Sequence, residues 1–484
     1  MSPPGGKVLL RTGPGVRPHV RRGQLLLSAQ PFVYVLKSDG LRVRCSYCLE
    51  KRDHLHRCSG CQVMYFCDRE CQKRAWSEFH RSECARLKKV SPRLPPDTAL
   101  LLARLIVKLR NGGDRISDRI TDTRHRSFKD LMSHYRDIKA TPRRMEHVAA
   151  LTVVLRSFLG PDNFPNDSEL AGMYGRVCVN GFNILDGEML PVATGIYLSA
   201  SIIDHSCQPN AAATFNGRTL SIRATEPIPD FTWEKVRISY IDTMADTETR
   251  RRELRNGYFF DCDCVRCSAA AAAPGSAPGG GGGGAAAGLE RALRCGSADC
   301  PATVPLPPDG AAPRCPRCRY QDYPADIGAE FDEIARLTRT YAQDNTVYYD
   351  FCLRLLQRQE AAMLHPLNVY RVKTLDLTLE AAISTDMWER CLELGSKLED
   401  GYRTFYGPCS PLTGIFYLKV GKIALYRFQH ALAARWLRRA AAVLRVTHGS
   451  DHPVYAEQLA PLLQQLSAET AGRERGDELG EGGD

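Results

Sequence analysis

Sixteen cysteine and histidine residues of this 484-residue chain fall into four groups of four. Two groups interleave as Cys45-x2-Cys48, Cys58-x2-Cys61, Cys67-x3-Cys71 and His80-x3-Cys84. A Cys-x2-Cys turn lets two thiolates converge on one tetrahedral ion, and His80 and Cys84, four residues apart, share one face of a helix. The spacing predicts two structural zinc ions, one on Cys45, Cys48, Cys67 and Cys71, the other on Cys58, Cys61, His80 and Cys84. A third group, Cys262-x-Cys264-x2-Cys267, lacks one ligand, and Cys207, in the turn Ser206-Cys207-Gln208-Pro209-Asn210, is the candidate to complete it. The fourth group, Cys295-x4-Cys300 with Cys315-x2-Cys318, reads as a zinc ribbon, a metal staple for a segment too small to fold alone. Three zinc ions are expected, and this ribbon would make a fourth. A disulfide framework would instead need an oxidising compartment. The stretch from Met1 to Gly15 is rich in Gly and Pro and lacks the apolar core of a secretory signal. The remaining cysteines, Cys178, Cys352, Cys391 and Cys409, are read as small buried hydrophobes.

The elements that must hold these ligands can be read around them. Residues 20 to 36 form short strands separated by turn residues. From Pro96 to Leu159 apolar residues recur at helical spacing, and residues 173 to 240 return to strands and turns broken by Gly181, Gly195 and Gly217. The segment Ser268–Gly288 contains only Ser, Ala, Pro and Gly, so it is expected to be a flexible insertion. Beyond Asp326 helices are predicted over 327–342, 345–362, 366–384, 386–405, 412–429, 431–446 and 451–466. Their Ala and Leu spacing suggests stacked antiparallel pairs similar to tetratricopeptide repeats. No apolar run approaches the roughly 18 residues of a membrane span. The formal net charge is +10. From Leu41 to Val90 twelve Lys/Arg stand against six Asp/Glu. Such a basic module could serve nucleic acid. No recognition-helix motif accompanies the charge, so direct nucleic-acid binding is the weakest reading, and the cations are read as offsetting thiolate charge.

With these residues in view, the chain resembles the SMYD family, lysine methyltransferases whose SET domain is split by a MYND zinc module. The eight ligands 45 to 84 match the MYND pattern. Asp204-His205-Ser206-Cys207-Gln208-Pro209-Asn210 is similar to the family's Asn-His-Ser-Cys-x-Pro-Asn, and Cys262-Asp-Cys-Val-Arg-Cys267 to its post-SET zinc motif. The resemblance implies an α+β fold: a SET-type all-β core with an inserted MYND zinc module and helical insert, a post-SET zinc site, and an all-α tetratricopeptide-like C-terminal domain. The expected boundaries are 1–44 for the N-terminal part of SET, 45–84 for MYND, 85–175 for the helical insert and 176–260 for the SET core. Residues 261–325 would hold the post-SET motif, the insertion and the ribbon, 326–470 the helical repeats, and 471–484 a disordered tail.

The same resemblance implies S-adenosylmethionine as cofactor and methyl transfer to a lysine ε-amine, with Tyr240 as the catalytic tyrosine. Phe182, Tyr240 and Tyr258 would line the substrate channel. Gly15, Arg17, Asn180, Asp204, His205, Tyr258 and Phe260 would bind the cofactor. Protein substrates would be histone tails, non-histone proteins or both, met in cytoplasm and nucleus by a monomer with no membrane partner. MYND modules also take Pro-rich peptides. Three positions depart from the family pattern. Gly13-Pro14-Gly15-Val16-Arg17 stands where the family has Lys-Gly-Arg-Gly, Asp204 replaces an Asn, and Pro229–Glu234 is two residues longer than the usual turn. A catalytically impaired scaffold that binds Pro-rich partners in transcriptional regulation is the alternative to the enzyme.

Overall fold

Apolar side chains at every second position build the first sheet. In the strand Thr219–Ala224, Leu220, Ile222 and Ala224 are buried, while Thr219, Ser221 and Arg223 are half-buried on the other face. This strand pairs antiparallel with Ala211–Asn216 on one side and Leu25–Ala29 on the other. Lys7–Val8 extends the sheet beyond Leu25–Ala29. A second sheet orders Val33–Leu36, Pro191–Ile196 and Gly181–Leu185. Its central Gly195 lies opposite both Tyr34 and Phe182, and a Cβ there would crowd Tyr34 and Ile184 at 3.2 Å.

The computed structural model describes residues 7–8, 18–161, 164–271, 286, 288–307, 310–343 and 348–469. Gly15 and Arg17, residues 272–285 and 287 of the predicted insertion, and the 471–484 tail lie outside them. The chain forms two compact units. One comprises Met1–Asp204, Asn210–Val236 and Asn256–Phe259, the other His205–Pro209, Arg237–Arg255 and Phe260–Asp484.

In the first unit the zinc-ligand segment follows Val33–Leu36, and helix Asp97–Arg110 packs on that strand. Helices Pro142–Leu159 and Asp167–Asn180 complete the helical layer. The second of these corrects the sequence reading, which placed strands and turns from residue 173. Asn166 caps Glu169 N–H while the Glu169 side chain returns to Asn166 N–H, and the helix so started runs on to Asn180. Gly175, a breaker by propensity, survives there because a Cβ would lie 2.0 Å from the Ser133 carbonyl oxygen. Pro229–Glu234, read as a turn two residues longer than the family's, packs inward. Phe231 and Trp233 are buried and stack edge to face at 5.3 Å, and Phe231 N–H donates to Pro18 O.

In the second unit consecutive helices Ile327–Gln343, Tyr349–Ala361, Val369–Ser384, Trp388–Phe405, Pro411–Tyr426 and His430–Thr447 pack against one another. Small residues set their spacing. A Cβ on Gly401 would meet Val372 at 2.4 Å, and one on Gly421 would meet Leu437 at 2.6 Å. Trp436, fully buried, packs against Phe416 and Tyr417. Cys352 and Cys391 are buried as expected, whereas Cys178 and Cys409 are only half-buried. Among the described residues no helix is long and apolar enough to cross a membrane.

Candidate functional site

Four sets of ligand atoms converge. Cys45, Cys48, Cys67 and Cys71 form one set, Cys58, Cys61, His80 and Cys84 a second, and Cys207, Cys262, Cys264 and Cys267 a third. Cys295, Cys300, Cys315 and Cys318 form the fourth, and within each set every ligand atom lies within 4.8 Å of the others. Tetrahedral thiolates at about 2.3 Å from zinc stand about 3.8 Å apart. The recorded separations, 3.5 Å for Cys48–Cys67, 3.8 Å for Cys58–Cys84 and 3.6 Å for Cys207–Cys267, suit that ion.

In the first unit the zinc-ligand segment is held by charges that the spacing did not reveal. His80 Nε2 lies 3.3 Å from Cys58 Sγ, while its Nδ1 faces Glu83 Oε1 at 3.4 Å. Glu83 accepts two 2.8 Å bonds from Arg104, whose guanidinium also donates to Tyr34 O and lies over the Phe79 ring. Burial pushes the Glu83 carboxyl up, but Arg104 and His80 together outweigh it and hold the carboxyl below the usual carboxylate range. The carboxylate therefore fixes the ring orientation of a metal-ligand histidine. The available signal was Glu83 three residues after His80 on a helix. Arg218 docks the same segment from the sheet side, pairing with Glu78 and stacking on Tyr47 within the first Cys-x2-Cys turn.

Also in the first unit, Asn180 Nδ2 donates to Met132 O at 2.8 Å and Arg176 O at 2.9 Å. Both amide hydrogens are thus committed, leaving Oδ1 for a ligand. His134, which no motif singled out, stacks on Phe259 at 5.2 Å. Phe182 meets Tyr197 edge to face. Tyr258, half-buried, closes the helix Thr247–Tyr258, and Asp204 is exposed. A cavity of about 590 Å³, lined by residues including Phe32, Trp76, Phe79 and Lys108, contains none of the predicted cofactor residues that are described.

In the second unit His205, Tyr240 and Phe260 come together over the third cysteine set. The ring centroids of Tyr240 and Phe260 lie 5.4 Å and 6.1 Å from that of His205. Tyr240 N–H donates to His205 Nδ1 at 3.1 Å, and His205 Nε2 sits 3.3 Å from Cys207 Sγ. Burial pushes the imidazole down to about 4, so it is uncharged at neutral pH. Two further groups missed by the sequence reading hold the cysteine loop. Arg250, fully buried, points Nη2 at Cys267 Sγ, and Arg251 donates to the carbonyls of Cys262 and Cys267.

Residues 45–84 match the MYND finger family. Over 454 residues, 93% of this chain and 94% of the relative, the chain is 29% identical to histone-lysine N-methyltransferase SMYD3 of Homo sapiens. It is 25% identical to histone-lysine N-methyltransferase ASHR1 of Arabidopsis thaliana over 93% of this chain and 92% of that one. It is 26% identical to N-lysine methyltransferase SMYD2 of Homo sapiens over 90% and 92%.

Proposed function

We propose that this chain, similar over nine-tenths of its length to SMYD-family protein-lysine methyltransferases, transfers methyl groups from S-adenosylmethionine to lysine ε-amines, with Tyr240 as the catalytic hydroxyl. The observation that carries this reading is the His205–Tyr240–Phe260 cluster fixed to the third cysteine set. An uncharged imidazole and two aromatic rings suit a cofactor whose reactive centre is a sulfonium cation. Held by Asn180, Asp204, His205, Tyr258 and Phe260, S-adenosylmethionine would supply an electrophilic methyl to the lysine nitrogen, its sulfur leaving as the neutral thioether. The side chains therefore have alignment and water exclusion to contribute. His205 fixes the backbone of Tyr240, whose hydroxyl orients the amine. An aromatic surround favours the neutral amine by disfavouring a buried ammonium. Asn180, Asp204, Tyr258 and Phe260 take their cofactor-binding roles, and Phe182 its channel role, from the family resemblance.

Substrates are histone and non-histone proteins of nucleus and cytoplasm, and the MYND module recruits Pro-rich partners. The departures at Gly13–Arg17 and Asp204 decide between enzyme and scaffold. Loss of one charged contact to the cofactor carboxylate would cost about 1.5–3 kcal/mol, one to two decades of affinity. Calorimetric titration of the zinc-loaded protein with S-adenosylmethionine is the test. Micromolar binding supports the enzyme, and a folded, metal-loaded protein that does not bind would leave the scaffold.

A further inference from the structure

The Cys315-x2-Cys318 pair repeats a turn used twice in the zinc-finger segment. After Cys45-x2-Cys48 and Cys58-x2-Cys61 the next residues, Leu49 and Gln62, adopt left-handed φ of 70° and 56°. Each donates its N–H back to the carbonyl of the first cysteine of its pair, at 3.0 Å and 2.9 Å. After Cys315-x2-Cys318, Arg319 has φ 68° and donates to Cys315 O at 3.1 Å. The closing bond of the first turn recurs in the ribbon: Cys45 N–H donates to Glu50 O and Cys315 N–H to Tyr320 O at 2.8 Å, each five residues on, while Cys58 N–H reaches Met64 O, six residues on. A left-handed non-glycine residue is uncommon, so three at one place in three Cys-x2-Cys pairs reflect a shared constraint. Further N–H groups point at sulfur: Ser297 N–H at Cys295 Sγ and Cys318 N–H at Cys315 Sγ, both at 3.5 Å. The Cys295–Cys318 and Cys300–Cys315 sulfur separations are 3.4 Å and 3.7 Å.

What this ribbon holds lies just before it. Its strands Ala292–Arg294 and Thr303–Pro305 pair with each other, and Leu293 bridges to Leu364 in the helical repeats. Arg294 N–H donates to Met363 O and His365 N–H to Ala292 O. Two strands of three residues cannot sustain themselves without such a staple. The buried Glu290 stands two residues before the first ribbon strand. Glu290 accepts from Thr247 N–H at the start of helix Thr247–Tyr258 and from Arg250, both at 2.7 Å, and from Arg266 at 3.3 Å. Arg250 reaches Cys267 Sγ at 3.6 Å. A divalent ion on four thiolates carries a net charge of about −2, which a buried guanidinium offsets.

We propose that Cys295, Cys300, Cys315 and Cys318 form a fourth, zinc-class metal centre, and that its ribbon positions Glu290 to hold Arg250 against the thiolates of the third. The assignment does not depend on methyl transfer. Native mass spectrometry of the full chain counts bound zinc. A chelator challenge followed by iodoacetamide and peptide mapping then reads which thiols are released. Four zinc ions are expected in the wild type and three in a Cys300→Ser/Cys315→Ser variant. Glu290→Gln should keep four, yet both variants should label Cys262, Cys264 and Cys267 about tenfold faster, the usual scale for loss of a ligand-supporting contact. Labelling between Cys45 and Cys84 should not change. If the ribbon variant loses that protection as well, Glu290→Gln decides alone. A zinc-loaded wild type whose ribbon cysteines label freely would overturn the metal centre. Unchanged labelling at Cys262–Cys267 in Glu290→Gln, or in a folded ribbon variant, would overturn the coupling.

Discussion

The backbone N–H of Tyr240 donates to Nδ1 of His205 at 3.1 Å. An accepting Nδ1 places the imidazole proton on Nε2, which faces Cys207 Sγ at 3.3 Å. One neutral ring therefore ties a metal ligand to the proposed catalytic tyrosine. His205→Ala removes the acceptor, the ring contact and the donor to sulfur together. We expect retention of the third zinc to fall about 10–100-fold, with cofactor affinity reduced in parallel. Chelator-challenge kinetics and calorimetry check this, and unchanged zinc retention would break the link drawn between the two residues.

Tyr240→Phe isolates the hydroxyl. The backbone bond to His205 and the ring contact both persist, so zinc content and thermal stability should match the wild type. Methyl transfer should drop about 100-fold or more, the scale of a positioned hydrogen-bonding group acting on the reacting amine. A phenylalanine enzyme with near-normal turnover on a methylated substrate would remove Tyr240 from the mechanism.

Glu83→Gln tests the zinc-finger segment. The change leaves Arg104 buried with no carboxylate, and a buried pair broken from one side costs about 3–5 kcal/mol. The orienting contact to His80 weakens as well. Thermal unfolding should shift down, and thiol labelling at Cys58, Cys61 and Cys84 should accelerate about tenfold relative to Cys262–Cys267. Equal protection at both sites would refute the orienting role.

Metal chemistry was legible in the sequence because its ligands lie close together in the chain and their types are restrictive. The pairing of Cys207 with Cys262–Cys267 bridges more than fifty residues and still followed from ligand count. The supporting charges were not legible. Arg104 finds Glu83 across 21 residues and Glu290 finds Arg250 across 40, and an Arg or Glu is by default a solvated surface residue. The C-terminal helices were placed to within a few residues because their apolar period is long and regular. Helix Asp167–Asn180 was missed in the reading, which turned to strands at residue 173, because Gly175 lowers helix propensity while allowing the close approach to Ser133 O. Phe231 and Trp233 fell in a turn-like Pro-Asp context that hid two core aromatics.

Acid should destabilise the second unit through two aspartates. Burial pushes Asp246 up, but hydrogen bonds from Thr249 and from Tyr370, at 2.6–3.0 Å, outweigh it and hold the carboxyl below its ordinary range. Burial likewise raises Asp242, and its ion pair with Lys373 brings it below normal. A carboxyl lower in the folded state contributes stability above its unfolded value and loses it as pH falls through the folded one. Unfolding temperature should therefore decline below about pH 4. Asp376, raised by burial, acts in the opposite sense. Asp246→Asn should be less stable at pH 7 and show a shallower acid decline by calorimetry. A decline parallel to the wild type would show that this carboxyl does not contribute.

Two glycines one turn apart on helix Asp167–Asn180 make opposite predictions. At Gly175 a Cβ would sit 2.0 Å from Ser133 O and 3.1 Å from its carbonyl carbon, both backbone atoms that cannot swing aside. The helix would have to lift from the segment 132–134, where Met132 O holds Asn180 and His134 stacks on Phe259. Overpacking of this kind costs about 1–3 kcal/mol, against a helix-propensity gain of about 1 kcal/mol. Because the clash is with backbone, Gly175→Ala should be net destabilising and should weaken any ligand bound through Asn180 Oδ1. At Gly172 the nearest atom is the mobile end of Arg176 at 3.4 Å, so Gly172→Ala should be neutral or stabilising by up to about 1 kcal/mol. Denaturant unfolding of the two variants decides. If both alanines stabilise, segment 132–134 yields to the helix and does not define the position of Asn180.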